Sequence, residues 1–439
     1  MCNMRKTICG LLLAAVSVSA NGQSGTNSPY SQYGLGVLAD QTSGFNRGMN
    51  GVGVGFREHN QVNFVNPASY SAMDSLTFIF DAGVSAQITN FNENGKKKNA
   101  KNADFEYAVA GFRMARHLGM SFGVLPFTNV GYNFSTSAVL DANQTIGYIN
   151  QYKGSGGIHQ VFVGMGWEPV RHLSVGFNAS YVWGEINRSI SNAYDEGSGT
   201  EYSSINSLSK VYSATARSYK LDFGVQYQLP LGKKDFLVVG GTFSPGHKMN
   251  STPQCTVTSV NPVTSVSNPT PYSIEDALEL PNMMSAGLMF NHNNQLKVGV
   301  DYSLQQWSKT SFPVYKVQND VPSYVLSNDY FLDRHKVTIG GEYGRGEMVR
   351  GFFNRLRYRA GVSYSTPYVK INGVDGPKEL SVSAGFGIPI VNIINNRSYL
   401  NISAQWGHLS GKGLITENTF RINIGMTFNE RWFMKWKVE

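Results

Sequence analysis

The chain is poor in the features that mark most other protein classes. Of three cysteines in 439 residues, Cys2 and Cys9 lie at the extreme amino terminus, and Cys255 stands alone after them. One cysteine makes neither an intrachain disulfide nor a cysteine-rich metal site, so a disulfide-stapled domain and a zinc module are excluded. Charged residues make up only 15% of the sequence, beside 41% hydrophobic residues, which argues against a disordered chain. Beyond the first 22 residues, no apolar run is long enough to cross a bilayer as a helix. The net charge of +8 lacks the basic clustering that nucleic-acid binding requires. The eight histidines do not fall into metal-ligand spacing. Gly51-Val-Gly-Val-Gly55 has no strand–turn–helix around it and so is not a dinucleotide loop. His408 with Ser410 is the nearest local Ser–His pair, and it has no acid partner in the sequence around it. No enzyme, cofactor, metal or nucleic-acid function is expected.

The amino terminus reads as a secretory signal. Arg5 and Lys6 give a positive start, residues 8–18 are apolar, and Val18-Ser19-Ala20 or Ala20-Asn21-Gly22 offers small residues for a signal peptidase. The run is too short to span a bilayer, and no lipobox cysteine ends it. Residues 1–22 are therefore expected to be removed on export. An exported chain without a membrane helix is either soluble or a membrane barrel, and periodicity distinguishes the two.

In residues 76–89, Leu76, Phe78, Phe80, Ala82, Val84, Ala86 and Ile88 share one parity. Thr77, Asp81, Gly83, Ser85 and Gln87 share the other, broken only by Ile79. A strand turns successive side chains to opposite faces, so this segment has one apolar and one polar face. The pattern recurs at Leu173–Trp183, Tyr219–Tyr227, Leu296–Leu304 and Phe420–Phe428. Several such segments reach the ~10 residues that a tilted strand needs to cross hydrocarbon.

Fourteen candidate strands follow from position 76. Every second connection is short: 115–118, 168–172, 230–235, 292–294 and 391–397. The intervening ones are expected to be long loops: 135–157, 185–205, 244–279 and 308–333. Residues 344–354 form one oversized connection on the short side. Short periplasmic turns facing long extracellular loops are the outer-membrane arrangement, and lipid requires the sheet to close. The expected fold is an all-β transmembrane antiparallel barrel of about 14 strands over residues 76–439. Residues 23–75 show no sustained period and read either as a disordered leader or as a compact hatch in the lumen. A barrel of this width has room for a hatch, and the hatch is the reading adopted.

The segment Gly44-Phe-Asn-Arg-Gly-Met-Asn-Gly-Val-Gly-Val-Gly55, followed by Val62-Asn-Phe-Val-Asn-Pro-Ala-Ser69, resembles the amino-terminal hatch of the FadL-type long-chain fatty-acid outer-membrane transporters. Asn66-Pro67-Ala68 matches that family's Asn-Pro-Ala before the first barrel strand, and Met120-Ser-Phe-Gly-Val-Leu-Pro-Phe127 resembles its third-strand region. Further likenesses keep the family order: Leu280-Pro281 through Gly287 and Asp301 to Trp307, then Leu332-Asp333, Gly340-Gly341-Glu342-Tyr343 and Arg359-Ala-Gly-Val-Ser-Tyr364. The resemblance implies passive transport of long-chain fatty acids or similar hydrophobic compounds across a bacterial outer membrane. The hatch would rearrange, and a kinked strand would let cargo exit sideways into lipid.

The residues expected on that path are Asn66, Pro67, Ala68, Gly123, Pro126 and Phe127. Pro126 is either the kink at a wall opening or a bend without a transport role. Asn66-Pro67-Ala68 is either the hatch pivot or a turn entering the barrel. Asp222, Asp301, Glu342, Arg357 and Arg359 fall on the inward parity. They form either an anchor for a substrate carboxylate or a network of ion pairs reaching the hatch, for example at Asp74. Lys96-Lys97-Lys98 with Lys101, placed in the first long loop, is either solvated or in contact with lipopolysaccharide. The expected partners are membrane lipids, lipopolysaccharide and a hydrophobic cargo. A second functional reading makes the barrel a non-transporting subunit of an outer-membrane protein assembly or secretion complex, in contact with other outer-membrane proteins, because fold does not fix function.

Overall fold

The computed structural model describes residues 25–139, 147–194, 206–261, 264, 266–346, 349–390 and 398–431. The expected signal and the expected turn at 391–397 lie outside the described residues. Fourteen antiparallel strands form the wall. They are β1 Thr77–Glu93, β2 Lys96–Ala115, β3 Leu118–Val139, β4 Gly147–Val170, β5 Leu173–Tyr194, β6 Ser207–Pro230 and β7 Asp235–Ser244. The set continues with β8 Met283–His292, β9 Leu296–Gln305, β10 Arg334–Tyr343, β11 Arg357–Ser365, β12 Lys378–Ile390, β13 Ser398–Ser410 and β14 Thr416–Arg431. Each strand pairs with the next, and β1 pairs with β14 from Thr77↔Arg431 to Asn92↔Thr416, which closes the barrel.

The parity of the side chains identifies the solvent outside. On β1, Val84 and Ile88 are exposed, while Asp81, Ser85 and Gln87 are buried. On β14, Phe420, Ile422 and Ile424 are exposed and Asn423 and Thr427 are buried. The same holds for Phe177, Phe223, Leu288, Val300 and Ile339. An apolar belt of this extent is unstable in water and matches hydrocarbon, with the polar parity turned into the lumen. The fold is that of an outer-membrane β-barrel, as the alternation predicts.

The exceptions to parity have a cause. Ile79 faces inward and is fully buried against Val62, Tyr70 and Met73. Phe162 of β4 belongs to the same cluster. These inward apolar residues pack against Val62, Phe64, Tyr70 and Met73 of the amino-terminal segment.

The wall is uneven in height. Strands β2 to β6 have 20 to 24 residues, whereas β7 to β11 have 9 or 10. Residues 135–139, 147–157 and 185–194 are strand, so the loops expected there are shorter than the sequence suggested. Beyond the bilayer both faces meet water and the alternation that marks a strand is lost. The lysines 96–98 sit likewise at the start of β2, in a hairpin where Glu93 pairs with Lys96, and not in a loop. A loop strand, Gln254–Val260, pairs with the upper part of β6. A separate hairpin, Phe312–Gln318 with Val321–Ser327, stands over the same end.

Candidate functional site: a filled opening in the wall

Strands β2 and β3 part company halfway up. Their ladder runs from Ala115↔Leu118 to Ala108↔Val124 and stops. Above that point β2 still follows β1 as far as Glu93↔Lys96, and β3 still follows β4 to Val139↔Gly147. Gly123 pairs with Val109 at the end of the ladder, where a Cβ would lie 2.6 Å from the Ala108 carbonyl. Just above, Pro126 pairs with His159 and Thr128 with Ile158, so Phe127 is bulged out of register. Proline carries no N–H for the ladder, which suits it to an edge or a bulge. On the facing strand Gly157 has φ +149° and abuts Thr128, where a Cβ would stand 2.3 Å from the Thr128 oxygen. Glycine lets β4 follow the bend.

An open strand edge cannot face lipid with its amides unpaired. Here the chain's own amino-terminal segment covers it. Val37 pairs with Asn129 and Leu38 with Thr128, antiparallel, and the Ala39 N–H donates to the Phe127 carbonyl at 3.0 Å. The Gly131 N–H donates to Ser31 Oγ at 3.1 Å. On the other side of the opening Asn27 Nδ2 donates to the Lys101 carbonyl at 3.1 Å. Residues 25–39 therefore bridge β2 and β3. Above the opening Leu35, Phe127, Val130, Ile158, Trp307 and Phe331 pack into one buried apolar cluster. Its space is filled by these side chains.

The opposite edge of β3–β6 is also interrupted. On β6, Phe223 pairs with Phe243 of β7, and Arg217 and Ala216 pair with the loop strand His247–Ser251. Residues 218–222 have no ladder partner on that edge among the described residues. Val124, Val161, Tyr181 and Tyr219 are successive cross-strand partners. The two interruptions thus lie in one row of the sheet and bound a panel of four long strands. At this second break Ser218 Oγ and His247 Nε2 are 2.8 Å apart, with His247 stacked on Tyr219. Sequence spacing could not show this pair. No carboxylate among the described residues is bonded to His247.

Asn66, Pro67 and Ala68 are buried but do not lie in the opening. Asn66 caps the short helix Pro67–Ala72 by accepting from the Ala68 N–H at 3.1 Å. It also donates to Val54 at 2.9 Å and to Val225 of β6 at 3.1 Å. Pro67 reaches the wall because β5 and β6 present Gly176 and Gly224 there. The segment that meets the opening, residues 25–39, carries no signal that sequence reasoning could use, since Val37 to Ala39 engage the edge of β3 through backbone groups and the side-chain bonds of Asn27 and Ser31 to the wall go to backbone atoms far away in sequence.

The inward charges separate into three places. Glu342 accepts from Arg357 and Arg359 at 2.7 Å each, with Lys297 3.5 Å away. Lys297 also pairs with Glu58 of the amino-terminal segment. On β9 the Asp301 carboxylate accepts from the Gly53 and Val54 N–H groups at 2.7 and 2.9 Å. Asp222 is bound to Lys220 and Ser244, on β6 and β7. Asp74, expected to meet an arginine, instead lies 2.7 Å from His59, because both arginines are turned onto Glu342. Further pairs hold the segment to the wall: Arg47–Glu106 at 2.9 Å, Arg57–Glu168 at 2.7 Å, and Asp40 with Arg421 at 3.3 Å and Lys336 at 3.7 Å. Adjoining the opening is a cavity of about 210 Å³, lined by Asp40, Lys220, Asp222, Asp301, Arg334 and Lys336 and also by Leu38, Phe64, Leu125, Phe127, Phe162 and Met283. Its lining is mixed, with charged and apolar side chains facing one space.

The sequence profile of the family described as BamG matches residues 4–439. No curated protein is detectably similar to the chain in sequence. Similar solved structures include the CymD monoaromatic hydrocarbon channel, with 15% identity, a TM-score of 0.59, and 92% of this chain and 100% of that one covered. The Ralstonia pickettii toluene transporter TbuX is 15% identical with a TM-score of 0.57, covering 89% and 98%. A Pseudomonas aeruginosa FadL homologue is 11% identical with a TM-score of 0.60, covering 89% and 99%. At these identities the likeness is one of fold. The resemblance to FadL-type transporters read from the sequence is thus a shared architecture, and the family match is a different one.

Proposed function

The chain belongs to the BamG family, and we propose that its barrel passes hydrophobic molecules sideways into the bacterial outer membrane through the β2–β3 opening, with residues 23–75 as the hatch. One observation carries this reading: the wall ladder stops at Ala108↔Val124, and the free edge of β3 pairs instead with the amino-terminal segment of the same chain. The similar structures named as hydrocarbon channels and a toluene transporter support it as relatives in fold. Cargo, long-chain fatty acids or similar compounds, would enter through the apolar cluster under the loops. Each methylene moved there from water gains ~0.8 kcal/mol. The adjoining cavity is lined in part by Leu125, Phe127 and Phe162, so the route leads past Phe127 and out between β2 and β3. Departure of Val37, Leu38 and Ala39 from β3 is the opening step, and Gly123, Pro126 and Phe127 line the exit. Asn66-Pro67-Ala68 is the fixed point about which the hatch moves. The inward charges Asp222, Asp301, Glu342, Arg357 and Arg359 act in this reading as hatch latches and lumen braces, not as a substrate site. Lys96, Lys97 and Lys98, exposed at their hairpin, are placed to meet lipopolysaccharide phosphates.

A second reading, as a non-transporting subunit of an outer-membrane protein assembly or secretion complex, draws support from two features. The amino-terminal segment is held by several buried ion pairs, and the apolar cluster is filled by the chain's own side chains. Gentle purification from native membranes, with mass spectrometry of bound lipids and co-purifying proteins, separates the two. A bound hydrophobic compound is the expected result. Stoichiometric protein partners without such a ligand would overturn the transport reading in favour of the second.

A further inference from the structure

The connection from β10 to β11 is long for the short-turn side, and it carries apolar surface. Within it Phe352–Arg355 form one helical turn. Phe352 and Phe353 are 53% and 73% exposed, with their rings edge to face at 5.4 Å between centroids. The turn is fixed to the outside of the wall. Tyr343 and Tyr358 are cross-strand partners on β10 and β11, and both are exposed on the lipid parity. Tyr358 Oη donates to the Phe353 carbonyl at 3.1 Å. Arg345 Nη1 donates to Asn354 Oδ1 at 3.3 Å, and Asn354 Nδ2 donates to the Arg350 carbonyl at 3.1 Å. The Tyr358 ring also packs edge-on against Phe386 of β12, itself in the exposed belt. The two phenylalanines thus continue the lipid-facing strip and do not cap the lumen. Around them stand Arg345, Arg350 and Arg355, against a single acidic residue in the turn's sequence, Glu347.

We propose that this turn is a bilayer anchor: Phe352 and Phe353 enter the headgroup–acyl boundary of the periplasmic leaflet while Arg345 and Arg350 bind phospholipid phosphates. Aromatic rings favour that boundary, and arginine pairs with phosphate through its planar fork. Continuity with the belt selects lipid over a protein partner, because the surface next to the turn is already committed to the membrane. The anchor lies across the barrel from the β2–β3 opening, so it would hold one wall while the other changes.

The test uses the full chain with Cys2→Ser, Cys9→Ser and Cys255→Ser, carrying nitroxide labels at Phe352→Cys or Phe353→Cys. The protein is placed in vesicles of phosphatidylethanolamine and phosphatidylglycerol. Labels at both positions should be reached by oxygen more readily than by a water-soluble nickel chelate. A label at Gly232→Cys, in the β6–β7 turn at the same end of the barrel, should show the reverse. A second variant, Phe352→Ser with Phe353→Ser, should fold to the same heat-modifiable barrel and move a label at Asn354→Cys toward water. Labels at 352 and 353 that are as aqueous as that at 232 would overturn the proposal. Labels shielded from both reagents in native membranes would overturn it too, in favour of a protein partner.

Discussion

The backbone N–H of Ala39 donates to the carbonyl of Phe127 at 3.0 Å, which ties the amino-terminal segment to the bulge in β3. The pairs beside it, Val37↔Asn129 and Leu38↔Thr128, complete a ladder that the wall itself does not supply. If the opening is a gate, this contact must break for cargo to pass. In a Cys255→Ser background, Leu38→Cys with Thr128→Cys places two thiols on directly paired residues, within reach of a disulfide. Uptake of a hydrophobic tracer into reconstituted vesicles should fall to background in the oxidised protein and return on reduction. Equal uptake in both states would show that the segment need not leave β3.

Glu342 accepts from both Arg357 and Arg359. Its removal takes the carboxylate from Arg357 and Arg359, which keep Tyr399 and Asn401 as acceptors, and weakens the hold on Lys297, which also binds Glu58. Breaking a buried pair from one side costs about 3–5 kcal/mol. Glu342→Ala should lower the stability of the barrel to denaturant by that order. Glu342→Gln, which still accepts hydrogen bonds, should cost less. The two substitutions having equal, small effects would mean the arginines find other partners in the lumen.

These two predictions rest on features of unequal legibility. The alternation through Val84, Ile422 or Val300 could be read directly, because lipid and lumen impose opposite chemistry on the two parities. Apparent noise such as Ile79 or Phe162 was a contact with the chain inside the barrel. Strand beyond the bilayer, as at 185–194, left no pattern because both faces are wet. The inward direction of Glu342 and Asp301 followed from parity, yet their partners did not. Glu58 and Gly53 are far away in sequence, and only the folded segment brings them near. Residues 25–39 were illegible as the cover of the opening, since a backbone edge is matched by any residue but proline.

Asp40 provides a pH test of the hatch. Burial pushes its carboxyl up, but Lys336 and Arg421, with Arg47 nearby, outweigh that effect and hold it well below the usual carboxylate range. A carboxyl whose folded value is depressed stabilises the folded state above its unfolded value of about 4, and the contribution fades as pH falls below that. Protection of residues 37–42 from amide exchange should therefore be constant from neutral pH down to about 5 and decline only in stronger acid. Asp40→Asn should weaken that protection at neutral pH and flatten its acid dependence. A loss of protection between pH 7 and 5 in the unaltered protein would contradict this assignment.

Gly176 tests whether close backbone approach seats the Asn66-Pro67-Ala68 turn. A Cβ at this position would lie 2.4 Å from the Pro67 carbonyl carbon and 2.6 Å from the Ala68 nitrogen. Both are backbone atoms, so no flexible side chain can swing aside. Overpacking of this kind costs about 1–3 kcal/mol. The strain should be relieved by displacing the turn, because β5 is tied into the sheet on both edges. Gly176→Ala should therefore speed amide exchange at residues 66–72 and leave β8 to β11 unchanged. Gly241→Ala is the control, since its Cβ would meet Val225 at an ordinary 3.5 Å. If the turn is also the point about which the hatch moves, the Gly176 variant should leak hydrophobic tracer without any rearrangement of residues 37–39. Faster exchange without leakage would keep the turn as a structural seat and remove it from the gating path.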